Sequence, residues 1–158
     1  MNEYEMRVFR QFYKMFDRMN EKISKQMFMQ IAIKRFASAV GELEIADRIL
    51  DVMIALEALY SDSSGDITYK LAIRIPAFLS INRHYTFFLS KFVKEIYKVR
   101  SGLVHGSLDE KEFKLNINGV DFTSQSAEIL ESITRSSIKR FLNLLKDSPK
   151  RKDNSTSG

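Results

Sequence analysis

Phe9, Phe12, Tyr13, Phe16, Met19, Ile23 and Met27 recur at spacings of three and four among Arg, Lys and Glu. One face of a helix has that period, so the opening segment reads as a long amphipathic helix. Six of the seven methionines fall within residues 1–29, and their flexible thioethers suit an adaptable packing surface in a core or a dimer. Acidic residues interrupt the polar face, which argues against a helix lying on a membrane. Residues 42–60 predict a second helix, with Ala46, Ile49, Met53, Leu56 and Tyr60 along one face and the small Ala55 and Ala58 allowing a neighbour to approach.

Ser-Asp-Ser-Ser-Gly-Asp at 61–66 is a loop by composition, and Asp66 is a suitable N-cap for a third helix starting at Ile67 and containing Tyr69, Leu71, Ile73 and Phe78. Pro76 lies inside that pattern and predicts a kink or a break, because proline lacks the helical donor and clashes with the preceding turn. A fourth helix is expected over 86–104, burying Phe88, Leu89, Phe92, Ile96, Val99 and Leu103. Then the period changes to two. Phe113, Leu115 and Ile117, followed by Asn118-Gly119 and by Val120 and Phe122, predict a small β-hairpin over 113–122. A last helix over 126–146 uses Leu130, Ile133, Ile138, Phe141, Leu142 and Leu145.

The expected fold class is therefore all-α, an up-down helical bundle with one hairpin, formed as a single domain over residues 1–146. Residues 147–158 read as a disordered basic tail, with Lys150, Arg151 and Lys152. A chain that starts within an amphipathic helix is also consistent with the C-terminal part of a larger protein. No secretory signal or long uncharged apolar run is visible, so a cytoplasmic protein with no membrane partner is expected.

The chain of 158 residues has no cysteine, which excludes disulfides, zinc ribbons and thiol nucleophiles. Its two histidines, His84 and His105, make a His-rich metal site within one chain unexpected, and no cofactor is implied. The formal net charge of +5 is compatible with an anionic partner such as RNA and equally with a solvated surface. There is no Gly-rich phosphate loop, HExxH pattern or Ser/His/Asp triad.

Arg100 and His105 are the candidates for chemistry. Five positions apart, they point about 140° away from each other on an ideal helix. Gly102 and Gly106 are the residues that would let the backbone loosen and bring the imidazole round; alternatively, two chains bring their motifs together across a two-fold axis. Glu57 shares the face of Met53 and Tyr60, so its carboxylate needs a partner, with Arg100 or Arg74 the natural candidates. Asp51 lies on another face of the same helix, suited to a helix crossing or a dimer interface. In a purely structural reading His105 caps a helix end and Arg100 forms a buried ion pair. His84, beside Arg83, reads as a surface or packing residue.

The Arg-x4-His segment occurs as Tyr97-Lys98-Val99-Arg100-Ser101-Gly102-Leu103-Val104-His105-Gly106. It follows Ala46-Asp47-Arg48-Ile49-Leu50-Asp51-Val52-Met53-Ile54-Ala55-Leu56-Glu57-Ala58-Leu59-Tyr60 and Tyr69-Lys70-Leu71-Ala72-Ile73-Arg74. In order and spacing these three stretches resemble the ApeA-like branch of the HEPN superfamily, over roughly residues 33–145. The resemblance implies a helical bundle that dimerises and, in many members, a metal-independent ribonuclease of toxin or antiviral-defence type.

In that setting RNA supplies its own nucleophile, the 2′-hydroxyl. His105 would act as general base or acid and Arg100 would grip the phosphate, with Glu57, Ser101 and Asp51 in support. The products would be 2′,3′-cyclic phosphate and 5′-hydroxyl ends. Ser101 stands where active members often carry Asn, Asp or His; its hydroxyl can still donate or accept a hydrogen bond. The implied partners are RNA, a second copy of the chain, and another domain or an antitoxin. The alternative is a non-catalytic dimerisation or interaction module that keeps the motif for structure. A small-ligand-binding bundle has no particular residue in its favour.

Overall fold

The computed structural model describes residues 26–61, 65–79, 82–109 and 111–147. The helix expected over residues 9–27, apart from its end at 26–27, and the tail after Asp147 lie outside these. The described chain forms α1 (Met27–Gly41), α2 (Ile45–Tyr60), α3 (Ile67–Leu79) and α4 (Arg83–Val104), then strands β1 (Asn116–Ile117) and β2 (Val120–Asp121), and finally α5 (Ser126–Asp147). The architecture is the all-α bundle with a small hairpin that the patterning predicts.

Residues 28–41, to which the hydrophobic pattern assigns no element, are helical. Met29, Ala32 and Ala39 are buried there, while Ile31 and Val40 stay exposed. Two of the three buried positions are alanines, so the stripe is weak when read as hydrophobicity. Those same small residues let α1 lie close to α2, whose Ala55 is also fully buried.

Helix α2 begins at Ile45, three residues later than the pattern predicts, because Glu42 and Glu44 are extended and Leu43 projects into solvent at 92% exposure. Ala46, Ile49, Met53, Leu56 and Tyr60 are all buried, as the periodicity requires. Asp66 caps α3 by accepting from the Tyr69 amide at 3.1 Å. The predicted break at Pro76 does not occur: α3 continues to Leu79 with Pro76 buried inside it. Only one backbone donor is lost there, and the helix ends within a turn.

Helix α4 starts at Arg83, not Thr86, since the Asn82 side chain accepts from the Tyr85 amide at 2.9 Å. His84 therefore sits in the first turn of a helix, exposed, and not in a connection. Leu89, Phe92, Val93, Ile96 and Val99 form the buried side of α4. Asp147 is the last residue of α5 and belongs to the helix, not to the expected tail.

An aromatic cluster joins four helices. Tyr60, Phe78 and Phe141 meet at centroid separations of 4.5 to 5.7 Å, and Phe28 reaches Phe141 at 5.9 Å. Within it the Tyr60 hydroxyl donates to Ser137 Oγ at 2.7 Å, and Ser137 donates to the Ile133 carbonyl at 2.8 Å. Burial pushes the Tyr60 pKa up to about 12, against the opposing pull of the Ser137 hydrogen bond and the Arg140 charge. Arg48 binds Glu131 through Nε at 2.9 Å and Nη2 at 2.6 Å, clasping α2 to α5.

The hairpin is shorter than its hydrophobic pattern: the paired strands cover only 116–117 and 120–121. Asn118 and Gly119 take φ values of 54° and 83°, the turn that Asn-Gly favours. Phe113, Leu115 and Ile117 are buried while Lys114 and Asn116 face out, so the period-two signal marks a core-facing extended segment. Phe122 meets Phe88 edge to face at 5.4 Å, which seats the hairpin against α4.

Candidate functional site

The Arg-x4-His segment is the last turn and a half of α4 and its exit. The helix does not loosen before His105, which takes φ −86° and ψ 0° as the C-cap. Gly106, at φ 66°, is the left-handed residue that ends it. The Gly106 amide returns to the Leu103 carbonyl at 3.3 Å and the Ser107 amide to Gly102 at 3.0 Å, the paired bonds of a Schellman termination. Gly102 serves close approach: a Cβ there would meet Leu108 Cβ at 2.9 Å. The two glycines thus terminate and pack the helix and do not swing the imidazole toward the guanidinium.

Arg100 and His105 consequently keep their opposite orientations. Arg100 turns inward to α2, where Nε lies 3.2 Å from Glu57 Oε1 and Nη2 donates to Oε2 at 3.4 Å. Of the two partners expected for Glu57, the structure pairs it with Arg100; Arg74 Nη1 donates to the Tyr60 carbonyl at 2.6 Å. Tyr97, one turn before Arg100, presents its ring 5.6 Å from the guanidinium carbon. This aromatic wall escapes a reading of motifs, although its i, i+3 spacing from Arg100 is the available signal.

The Arg100–Glu57 pair is close but poorly aligned. Glu57 Oε1 and Arg100 Nε are both buried and lack a hydrogen bond among the described residues, so their 3.2 Å approach is a charge contact without the geometry of an N–H···O bond. Burial raises the Glu57 pKa above its usual 4.5, and the Arg100 charge only partly opposes this. Burial likewise lifts the Tyr97 phenol, helped by Glu57 and Asp66 and opposed by Arg100.

His105 is exposed, and its side chain makes no hydrogen bond or ion pair with another described residue; its backbone amide bonds the Ser101 carbonyl at 3.0 Å. Ser101 is half-buried on the helix turn between the two motif residues. Asp51 belongs to a separate pair: its Oδ1 accepts from Arg35 Nη1 at 2.9 Å, at the crossing of α1 and α2.

Comparison with protein-family models, with curated proteins and with solved structures gives no match to this chain.

Among the described residues, no group of three or more His, Asp or Glu side chains is placed to hold a metal ion, and no helix is long and apolar enough to cross a membrane. A depression enclosing about 600 Å³ lies between the α1–α2 link and the hairpin, lined by Leu43, Ile45, Lys111, Phe113, Asp121 and Thr123 among others. None of its lining residues belongs to the Arg-x4-His segment.

Proposed function

We propose that this chain is an RNA-acting domain of HEPN type that cleaves RNA without a metal. The observation that carries the reading is the exposed, unengaged imidazole of His105 at the end of the helix that bears Arg100. An imidazole changes charge near neutral pH and can move protons in either direction. In the proposed reaction one imidazole removes the 2′-hydroxyl proton and the 2′-oxygen attacks the adjacent phosphorus. The bond to the 5′-oxygen breaks as that oxygen takes a proton from a second group. The products are a 2′,3′-cyclic phosphate and a 5′-hydroxyl.

One chain supplies one motif imidazole, so the base and the acid come from two copies in a homodimer. Arg100 contributes charge to the phosphate only if its guanidinium is shared between Glu57 and the substrate; Tyr97 and Glu57 then set its position. On this reading the activity belongs to a cytoplasmic defence or toxin-type system, with another domain or an antitoxin as partner.

A non-catalytic interaction module is the second reading, favoured by the inward Arg100–Glu57 contact and by His105 standing as a helix cap. The two readings separate in one assay: mixed RNA incubated with EDTA, followed by end-group analysis, with sedimentation of the same sample. The nuclease reading expects cyclic phosphate ends, a dimer, and a loss of about 10²-fold or more in rate for His105→Ala with binding retained. Arg100→Lys should also be impaired, since it keeps the charge without the planar grip. Cleavage that needs magnesium, leaves 5′-phosphates or survives His105→Ala overturns it.

A further inference from the structure

Helix α4 carries the permanent cations Arg83, Lys91, Lys94, Lys98 and Arg100 and a single carboxylate, Glu95, in a chain whose entire net charge is +5. At 100° per residue, Arg83, Phe87, Lys91, Lys94, Lys98, Ser101 and His105 all fall within about 40° of one line along the helix. Arg100 stands about 140° from that line, on the side that faces Glu57. Among the described residues most of this line is open to solvent, with Lys91 and Ser101 half-buried. Arg83, Lys94 and His105 are exposed, the Lys98 side chain is 70% exposed, and Phe87 is 60% exposed despite being a large aromatic.

No described element covers these side chains beyond the hairpin tip, where Asn118 Oδ1 accepts from Lys91 Nζ at 2.6 Å. Lys91 Nζ also lies 5.0 Å from the Phe87 ring centre, so a cation and an aromatic face are presented together. Glu95 sits at the flank and pairs with Lys98 at 2.7 Å, leaving the line strongly positive.

We infer that this outer face of α4 is a track for the backbone of a single-stranded RNA, running about 33 Å from Arg83 to His105. Charge complementarity selects the occupant: the row of Lys91, Lys94 and Lys98 ammonium groups fits a row of phosphates. The exposed phenyl ring selects a single strand over a duplex, because only an unpaired base offers its face for stacking. Ser101 and His105 close the line, so a strand lying along it reaches the exposed imidazole. The inference rests on the RNA-acting reading above and assigns where the strand enters. Its contacts are with phosphates and base faces, so it expects little sequence preference.

The test uses the complete chain and fluorescence anisotropy with a labelled 2′-O-methyl oligoribonucleotide, which cannot be cleaved through a 2′-hydroxyl. Lys94→Ala/Lys98→Ala should weaken binding about tenfold at low salt and reduce the salt slope by about 1.4, roughly 0.7 for each phosphate contact. Phe87→Ala should weaken it about fivefold or more through lost stacking. The charge-matched Lys34→Ala/Lys139→Ala, from exposed positions on α1 and α5, should stay within about twofold.

Circular dichroism checks that each variant is folded. Equal losses in both lysine pairs, an unchanged salt slope, or no binding by the wild type overturns the track, as does binding to anionic vesicles without binding to RNA. Cleavage by the wild type with normal binding by the α4 variants removes the track and leaves the nuclease standing. Selective loss of binding in those variants without any cleavage keeps the track and removes the nuclease.

Discussion

Arg100 and Glu57 lie 43 positions apart in sequence and 3.2 Å apart between Nε and Oε1, yet the two atoms that approach most closely do not form a hydrogen bond. The side chains are 22% and 18% exposed, so water reaches the rim of the pair while its centre is dry. A contact of this kind costs desolvation on both sides and recovers only part of it.

Glu57→Ala should therefore destabilise by about 1–2 kcal/mol, less than for a fully buried pair, because the stranded Arg100 retains some solvent. Glu57→Gln keeps the shape and a weaker hydrogen bond and should lie close to wild type at neutral pH. Urea unfolding of the three proteins measures this. Equal stability of all three would mean that the pair contributes nothing.

The same pair has a pH signature. Burial raises the folded-state pKa of Glu57, so the folded protein holds this proton more tightly than the unfolded chain. The stabilisation from Glu57 is complete below its unfolded value near 4.5 and is lost as pH rises through the raised folded value. Relative to Glu57→Gln, the wild type should lose stability across that interval, and unfolding curves at closely spaced pH values would show it. A difference that does not change with pH would place the carboxylate in ordinary solvent.

At the end of α4 the two glycines should respond differently. Gly106→Ala meets no atom within 4 Å but forces a side chain to φ 66°, and should cost about 1 kcal/mol from backbone strain alone. Gly102→Ala drives a Cβ to 2.9 Å from Leu108 Cβ, a clash of about 1–3 kcal/mol set against a gain in helix propensity of about 1 kcal/mol. In a Leu108→Gly background that clash disappears, and Gly102→Ala should become neutral or stabilising. Thermal unfolding of the four proteins of this cycle is the measurement.

The proposed strand path along α4 and the proton transfer by His105 have separate readouts, binding of an uncleavable oligonucleotide in one case and end groups in the other. A protein in which Lys94→Ala/Lys98→Ala slows cleavage only at low RNA concentration would join the two, since a track acts through binding.

The legible parts of this protein are those with a local cause. Asn118-Gly119 announces its turn because few other residues tolerate two successive positive φ values, and the structure has them at 54° and 83°. Asp66 announces the start of α3 through its side-chain acceptor. Helix α1 is harder to see, because its buried side relies on Ala32 and Ala39, whose importance depends on how near α2 comes. Pro76 does not end its helix for a related reason: a proline near a helix end removes one donor, and packing of the buried ring holds the remaining turn.

By itself the sequence determined the helical periods and the hairpin turn, since each follows from backbone sterics and the pitch of a helix; that α4 stays wound up to His105, leaving Arg100 and His105 pointing apart, is a finding of the structure. Only the tertiary structure decided that Arg100 turns onto Glu57 beside Tyr97, that Asp51 is taken by Arg35, and that the described residues leave the Lys94, Lys98 and His105 face of α4 uncovered. Each of those outcomes depends on which other helix arrives at a given face, and that is settled by burial of apolar surface contributed by residues far apart along the chain.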